Sequence, residues 1–197
     1  FDQKQNIGSS HKLPSIKLDQ VSNNRFGQII NQTLNDLLIN DKKIILIGED
    51  ILDPYGGAFK ITKGLSSNFQ DRVYSSPISE SAIVGIAGGL ALEGYKPIVE
   101  IMFGDFLSLT FDQLLNNLCK YYFMYNKLVK NPLIIRTPMG GRRGYGPTHS
   151  QSIEKHYFGI NGLSVYAVNP FQPIYDLYKC AFNDNSPSLF IENKIDY

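Results

Sequence analysis

The sequence predicts an α/β fold: a parallel sheet with helices on both faces, three layers in all. Short continuous apolar runs such as 44–47, ending at Gly48, read as strands buried on both sides. They alternate with longer stretches whose apolar residues recur at helical spacing, the pattern of a sheet covered by helices. The length, 197 residues with 43% hydrophobic content, suits one domain with a sizeable core.

Each element follows in order. Residues 1–24 are polar, without apolar periodicity, and lack the basic start and apolar centre of a signal peptide. They read as a flexible arm or linker, and residues 25–197 as the domain. Phe26, Ile29, Ile30, Thr33, Leu34, Leu37 and Leu38 lie at helical spacing, with Asn24 placed to cap the start. Residues 44–47 form a strand and 72–75 a weaker one. Residues 79–93 form a helix rich in Ala and Gly, whose small residues suit close approach of another helix or subunit. Residues 97–102 are a strand and 107–125 a long amphipathic helix. Residues 133–137 are a strand closed by Pro138 and a glycine-rich loop. Strands at 164–168 and 189–192 flank a helix near 173–182. The chain stops at Tyr197, directly after a strand-like run, and reads as part of something larger.

Composition excludes several classes. Nineteen Lys and Arg against eighteen Asp and Glu give a net charge of +1, with no electrostatic case for nucleic acid or an anionic membrane. The longest apolar stretch, 81–92, is bounded by Glu80 and Glu93 and falls short of the ~20 residues that span a bilayer. Cys119 and Cys180 are too few for a disulfide framework or a metal cluster and fit a reducing compartment.

In a sheet of this kind ligands bind at the carboxyl ends of the strands. That rule selects residues 48–50, 77–80, 103–106 and 138–151. Ser79 and Glu80 read either as an ordinary helix start, with Ser as cap and an acid in the first turn, or as an acid aimed at a ligand nitrogen. A Glu whose pKa is raised by burial can exchange a proton with a heteroaromatic ring. The glycines at 85, 88 and 89 do not form a dinucleotide fingerprint. The run from Gly140 to Pro147 lacks the Lys-Ser/Thr ending of a phosphate loop. Arg142 and Arg143 on that run belong either to a plain surface turn or to a loop that holds an acidic substrate or a partner subunit. His149 follows directly, whereas His156 falls on an expected helix and His11 in the arm. Phe103 and Phe106 are either core residues or a stacking surface for a flat ring.

Taken together these segments resemble the β subunit of the thiamine-diphosphate-dependent decarboxylase of 2-oxo-acid dehydrogenase complexes, of pyruvate, branched-chain or acetoin type. The matching text is Gly48-Glu49-Asp50, Tyr55-Gly56-Gly57-Ala58-Phe59-Lys60, Arg72-Val73, Ser76-Pro77-Ile78-Ser79-Glu80, Gly94-Tyr95-Lys96-Pro97, Phe111-Asp112-Gln113 and His149-Ser150-Gln151. It runs in order from about Phe26 to Tyr197.

The resemblance implies a transketolase-like pyrimidine-binding domain that binds thiamine diphosphate. Glu80 would hydrogen-bond the aminopyrimidine nitrogen and favour the imino tautomer that generates the reactive ylid. Phe106 would stack on the aminopyrimidine with Ile78 alongside, Glu49 would lie close to its pyrimidine end, and His149 would stand near the reacting carbonyl. A structural K+ site would use backbone oxygens of Leu133, Ala181, Phe182 and Asp184, although Ser186 replaces the usual Asn there. The chain has no Gly-Asp-Gly motif for the diphosphate and its Mg2+. The resemblance therefore implies a partner α subunit or domain that holds them, in an α2β2 heterotetramer or a fused homodimer, and an inactive isolated chain. A lipoyl acyltransferase is a further implied partner, and the family's C-terminal domain is expected to be absent from residues 25–197. The readings that remain beside this one are a transketolase-type carboligase and a non-catalytic assembly module. The implied compartment is a bacterial cytoplasm or, alternatively, a mitochondrial or plastid-type organelle.

Overall fold

The computed structural model describes residues 24–197; the expected arm and His11 lie outside the described residues, apart from Asn24. Six strands form one all-parallel sheet: β1 (Ile44–Gly48), β2 (Val73–Ser75), β3 (Lys96–Glu100), β4 (Ile134–Met139), β5 (Ser164–Val168) and β6 (Ser188–Asn193). Their order across the sheet is β2-β1-β3-β4-β6-β5.

The strand sequences dictate the layering. In β1, Ile44 and Leu46 point to one face and Ile45 and Ile47 to the other, as the two-residue period requires. The first face, with Ile98, Ile134 and Phe190, is covered by α1 (Phe26–Asn40) and α5 (Ile174–Phe182). The second, with Val99, Ile135 and Leu189, is covered by α3 (Glu80–Leu92) and by the chain around Leu107, Leu114 and Leu118. Each fully buried aliphatic side chain contributes roughly 1.5–3 kcal/mol, so the two apolar layers fix the sheet between them.

The structure corrects four local expectations. Arg25, not Asn24, occupies the cap position of α1, and its backbone N–H donates to the Gln28 side chain at 3.2 Å. The continuous helix expected over 107–125 is broken into a 3-10 stretch at Gly104–Thr110, a π-helical turn at Gln113–Leu118 and a short α4 (Cys119–Met124). The apolar spacing of that region is real, but Leu107, Leu114 and Leu118 all have to reach the same sheet face. His156 sits in a 3-10 turn, Glu154–His156, rather than on a longer helix. A short helix not anticipated from the sequence, α2, spans Leu65–Asn68.

Gly88 explains part of the small-residue character of α3. A Cβ there would come within 2.3 Å of Leu118 Cδ2, so this glycine admits a side chain of the same chain. The opposite side of α3 is open: Ile86 is 56% exposed.

Candidate active site

The four strand ends selected from the sequence meet in pairs: those of β1 and β2 at Glu49 and Ser79, and those of β3 and β4 at Phe103, Phe106 and His149, where the end of β6 joins them. Glu49 follows β1 and Glu80 opens α3; both side chains are buried. Glu49 Oε1 accepts the backbone N–H of Ser79 at 3.2 Å, tying the end of β1 to the start of α3. This corrects the capping expectation, because the Ser79 side chain makes no cap bond. Burial pushes the Glu49 carboxyl up from its ordinary value, the nearby charges of Glu80 and Asp50 add to this, and the Ser79 N–H opposes it. Among the described residues no hydrogen bond from this chain reaches the Glu80 carboxyl. Ile78, two residues earlier, is 86% exposed.

Phe103 and Phe106, beyond β3, form an aromatic seat for His149. The imidazole meets Phe103 edge-on at a centroid distance of 4.7 Å and Phe106 at 5.3 Å. Phe103 is buried, as core packing requires, whereas Phe106 is only partly covered. Phe59 and Tyr145 extend the cluster, meeting Phe103 at 5.4 and 5.5 Å.

The loop that carries His149 is anchored at several points. Asp105 Oδ1 accepts the backbone N–H and the side-chain amide of Gln151, at 3.1 and 2.9 Å. Lys194, just past β6, donates from Nζ to the His149 carbonyl. Arg143 donates from Nε and Nη2 to the Lys194 carbonyl at 2.9 and 2.8 Å, and from Nη2 to the Tyr197 carbonyl at 3.1 Å. The two loop arginines therefore part company. Arg143 grips its own chain, whereas Arg142, at a positive φ of 66°, lines a cavity of about 380 Å³ with Glu154, Asn169 and Asn193.

Beneath these strand ends lies a charged cluster that the sequence reading missed. Arg136 of β4 is fully buried. It donates to Glu100 of β3 and, at 2.9 Å through Nε, to Glu192 of β6; Tyr197 also donates to Glu192. Burial works against the Arg136 charge, but Glu192 and Glu100 overcome it and hold the guanidinium well above its ordinary value. The Glu100 carboxyl is pushed up by burial, with Arg136 opposing. The signal was available: Arg136 is the one charge in an otherwise buried apolar strand, and such a charge requires partners on adjacent strands. Lys194 was also missed, because the strand-end rule was not carried to the last strand. Gly57, at φ 80°, completes the cover: a Cβ there would come 2.9 Å from Glu100 Oε1.

Leu133, Ala181, Phe182 and Asp184 gather at the opposite, amino-terminal edge of the sheet, around the start of β4 and the end of α5. The Leu133 carbonyl already accepts the Ser188 N–H at 2.9 Å, and the Ala181 carbonyl accepts the N–H groups of Asp184, at 3.2 Å, and of Asn183. Among the described residues no group of three or more His, Cys, Asp or Glu side chains could hold a metal ion. Nor is any helix among them long and apolar enough to cross a membrane.

Residues 24–197 match the family described as the transketolase pyrimidine-binding domain. The chain is 36% identical over 164 residues to the pyruvate dehydrogenase E1 component subunit beta of Leifsonia xyli, covering 83% of this chain and 48% of that protein. It is 35% identical over 171 residues to the mitochondrial pyruvate dehydrogenase E1 subunit beta of Bos taurus, covering 86% and 47%. It is 34% identical over 174 residues to the beta subunit of acetoin:2,6-dichlorophenolindophenol oxidoreductase of Cupriavidus necator, covering 84% and 52%. The chain thus spans about half the length of these relatives. Among solved structures, a split-gene transketolase described as an inactive beta4 tetramer superposes with a TM-score of 0.66 at 20% identity, covering 85% of this chain and 50% of that one. That likeness supports the fold.

Proposed function

The chain belongs to the transketolase pyrimidine-binding domain family, and from that premise we propose that it is the pyrimidine-binding half of a thiamine-diphosphate-dependent enzyme that decarboxylates a 2-oxo acid and transfers the acyl unit. The observation that carries this is Glu80: a buried acid at a strand-to-helix junction, beside a second buried acid, with no hydrogen bond from its own chain among the described residues. Leaving such a group unpaired costs about 1–3 kcal/mol, so the arrangement suits an acid kept for a ligand. Identities of 34–36% to beta subunits of 2-oxo-acid and acetoin enzymes point the same way.

The residues fit the cofactor's aminopyrimidine. When bound, thiamine diphosphate supplies a nucleophilic carbon and an electron sink for the bond to carbon dioxide. Glu80 would hold a proton at the pyrimidine nitrogen. Glu49 keeps the start of α3 in place through the Ser79 N–H, and its own carboxyl is pushed up by burial and by the like charge of Glu80. Ile78 and the open side of Phe106 offer apolar flanks for a flat ring. His149, seated on Phe103 and Phe106, would exchange protons with the substrate carbonyl.

The described residues offer no carboxylate cluster for Mg2+, so a partner α subunit or domain would hold the metal and the diphosphate, in an α2β2 or fused assembly. Residues 25–197 would be one domain of a longer architecture that includes a C-terminal domain. K+ at Leu133, Ala181, Phe182 and Asp184 would be structural, since these residues lie at the far edge of the sheet. A lipoyl acyltransferase would receive the acyl group. The relatives come from bacteria and from mitochondria, and a bacterial cytoplasm is the compartment we favour.

Calorimetry tests the split site. The chain alone should bind thiamine diphosphate weakly and without dependence on Mg2+; adding a partner that carries a Gly-Asp-Gly motif should produce tight, Mg2+-dependent binding and release of carbon dioxide from a 2-oxo acid. Tight Mg2+-dependent binding by the chain alone would overturn the division of labour, and carbon–carbon bond formation without loss of carbon dioxide would favour the carboligase reading.

A further inference from the structure

We propose that Lys194 is a positioning residue: its ammonium clasps the backbone of His149 from the end of β6 and so fixes the imidazole on its aromatic seat. Lys194 is fully buried, an unusual position for a lysine. Its Nζ donates to the His149 carbonyl. It stands 5.1 Å from the centroid of Phe103 and 5.4 Å from that of Tyr145, within range for a cation over a ring. Phe103 is the same ring that meets the imidazole at 4.7 Å. One buried cation thus touches both the backbone of His149 and the surface on which its side chain rests.

The surroundings make the clasp reciprocal. Arg143, six residues before His149, donates twice to the Lys194 carbonyl, so residue 194 holds the loop at its middle and near its end. Two residues after His149, Gln151 is held by Asp105. His149 therefore lies between two tethers, and Lys194 is the one that reaches its own peptide. Burial pushes the Lys194 amine down, while the Asp105 carboxylate favours its charged form and Arg143 opposes it. Burying an ammonium is costly unless its hydrogen bonds are made; here the carbonyl of His149 is the acceptor that compensates it.

The catalytic consequence rests on the function proposed above, but the positional claim does not, and the test separates them. The His149 ring protons lie at the faces or edges of Phe103 and Phe106, so their NMR signals are displaced by ring currents. In the full-length protein, Lys194→Met keeps most of the apolar stem, one atom shorter, and removes the donor; the His149 signals should then move toward their unstructured values while those of His156 stay fixed. Lys194→Arg, which keeps a donor, should restore them. If Lys194→Met does not fold, Lys194→Gln, whose amide is too short to reach the carbonyl, carries the same comparison. Unmoved His149 signals in a folded variant overturn the proposal. In the holoenzyme with its partner, Lys194→Met should lower kcat by up to about 10²-fold, the cost of a small misplacement, and should add nothing further in a His149→Ala background. Independent, additive losses would show that Lys194 does not act through His149. A wild-type assembly that releases no carbon dioxide would refute the proposed function and leave the NMR result to decide the clasp.

Discussion

Replacing Glu80 by Gln separates a proton-holding acid from a helix-start residue, because the two roles predict opposite outcomes from one change. The amide keeps the size and can still meet a ring nitrogen, but it cannot donate the acid proton. Loss of one proton-transfer partner costs about 10²–10⁴ in rate, which corresponds to about 2.7–5.4 kcal/mol of barrier. Stability should respond in another way. The variant loses the interaction of a carboxylate with the first turn of α3, about 0.3–1 kcal/mol, and gains relief from the like charge of Glu49. Glu49 still accepts the Ser79 N–H, so the helix start stays satisfied. The two terms oppose each other, and the net change should stay within about 1 kcal/mol, or about 2–4 °C in Tm for a chain of this size. The assay is steady-state turnover of the reconstituted enzyme, paired with deuterium exchange at the cofactor's thiazolium carbon and a thermal melt. Slowed exchange, low turnover and a nearly unchanged Tm are expected. Full turnover with normal exchange would refute the reasoning and leave Glu80 only its place at the helix start.

Arg136→Met should cost about 3–5 kcal/mol in urea unfolding, since it leaves Glu100 and Glu192 buried without their cation; a loss under about 1 kcal/mol would show that the acids are already neutral in the fold. Because Glu49 titrates above its ordinary value of 4.5 in the folded chain, the folded state binds its proton more tightly than the unfolded state. Its contribution is therefore complete below 4.5 and is lost as pH rises through the higher folded value. Melts across that range should show stability falling with pH, and Glu49→Gln should flatten the slope. The Cys119 thiol is buried and pushed up to about 12 by that burial. At about pH 8 a thiol reagent should therefore label Cys180 and leave Cys119 unmodified until the chain unfolds; equal labelling of both would contradict the burial.

The sheet was legible because its strands are apolar on both faces. Ile44 to Ile47 need no partner information to be read as a buried strand, and they sit in β1 with alternate residues in the two layers. The region after β3 was not legible in the same way. Its leucines keep a helical spacing, but seating Leu107, Leu114 and Leu118 on one sheet face requires 3-10 and π-helical turns, and a repeat of apolar residues does not specify the hydrogen-bonding pitch that carries them. At the site, Glu49, Glu80, Phe106 and His149 were selected by the rule that strand ends carry ligands. That Arg143 turns back to the end of β6 depends on the path of the loop, which a two-arginine motif does not encode. The Arg136 cluster shows the reverse: its partners lie 36 and 56 residues away, yet a lone charge in an apolar strand announces that such partners exist.

The parallel order of the sheet also determines when the site comes into being. Glu49 meets Ser79 across 30 residues, His149 meets Lys194 across 45, and Gln151 meets Asp105 across 46. Each of these pairs closes a long loop, and the entropy of closure must be met before the contact stabilises anything. The helices and single strands can form earlier, but none of them holds a working fragment of the site. A chain in which β6 has not joined β4 would lack the bond from Lys194 to His149. Affinity for a ligand at this site is therefore a measure of completed folding, and a ligand that binds there would select fully assembled molecules from partly assembled ones during synthesis.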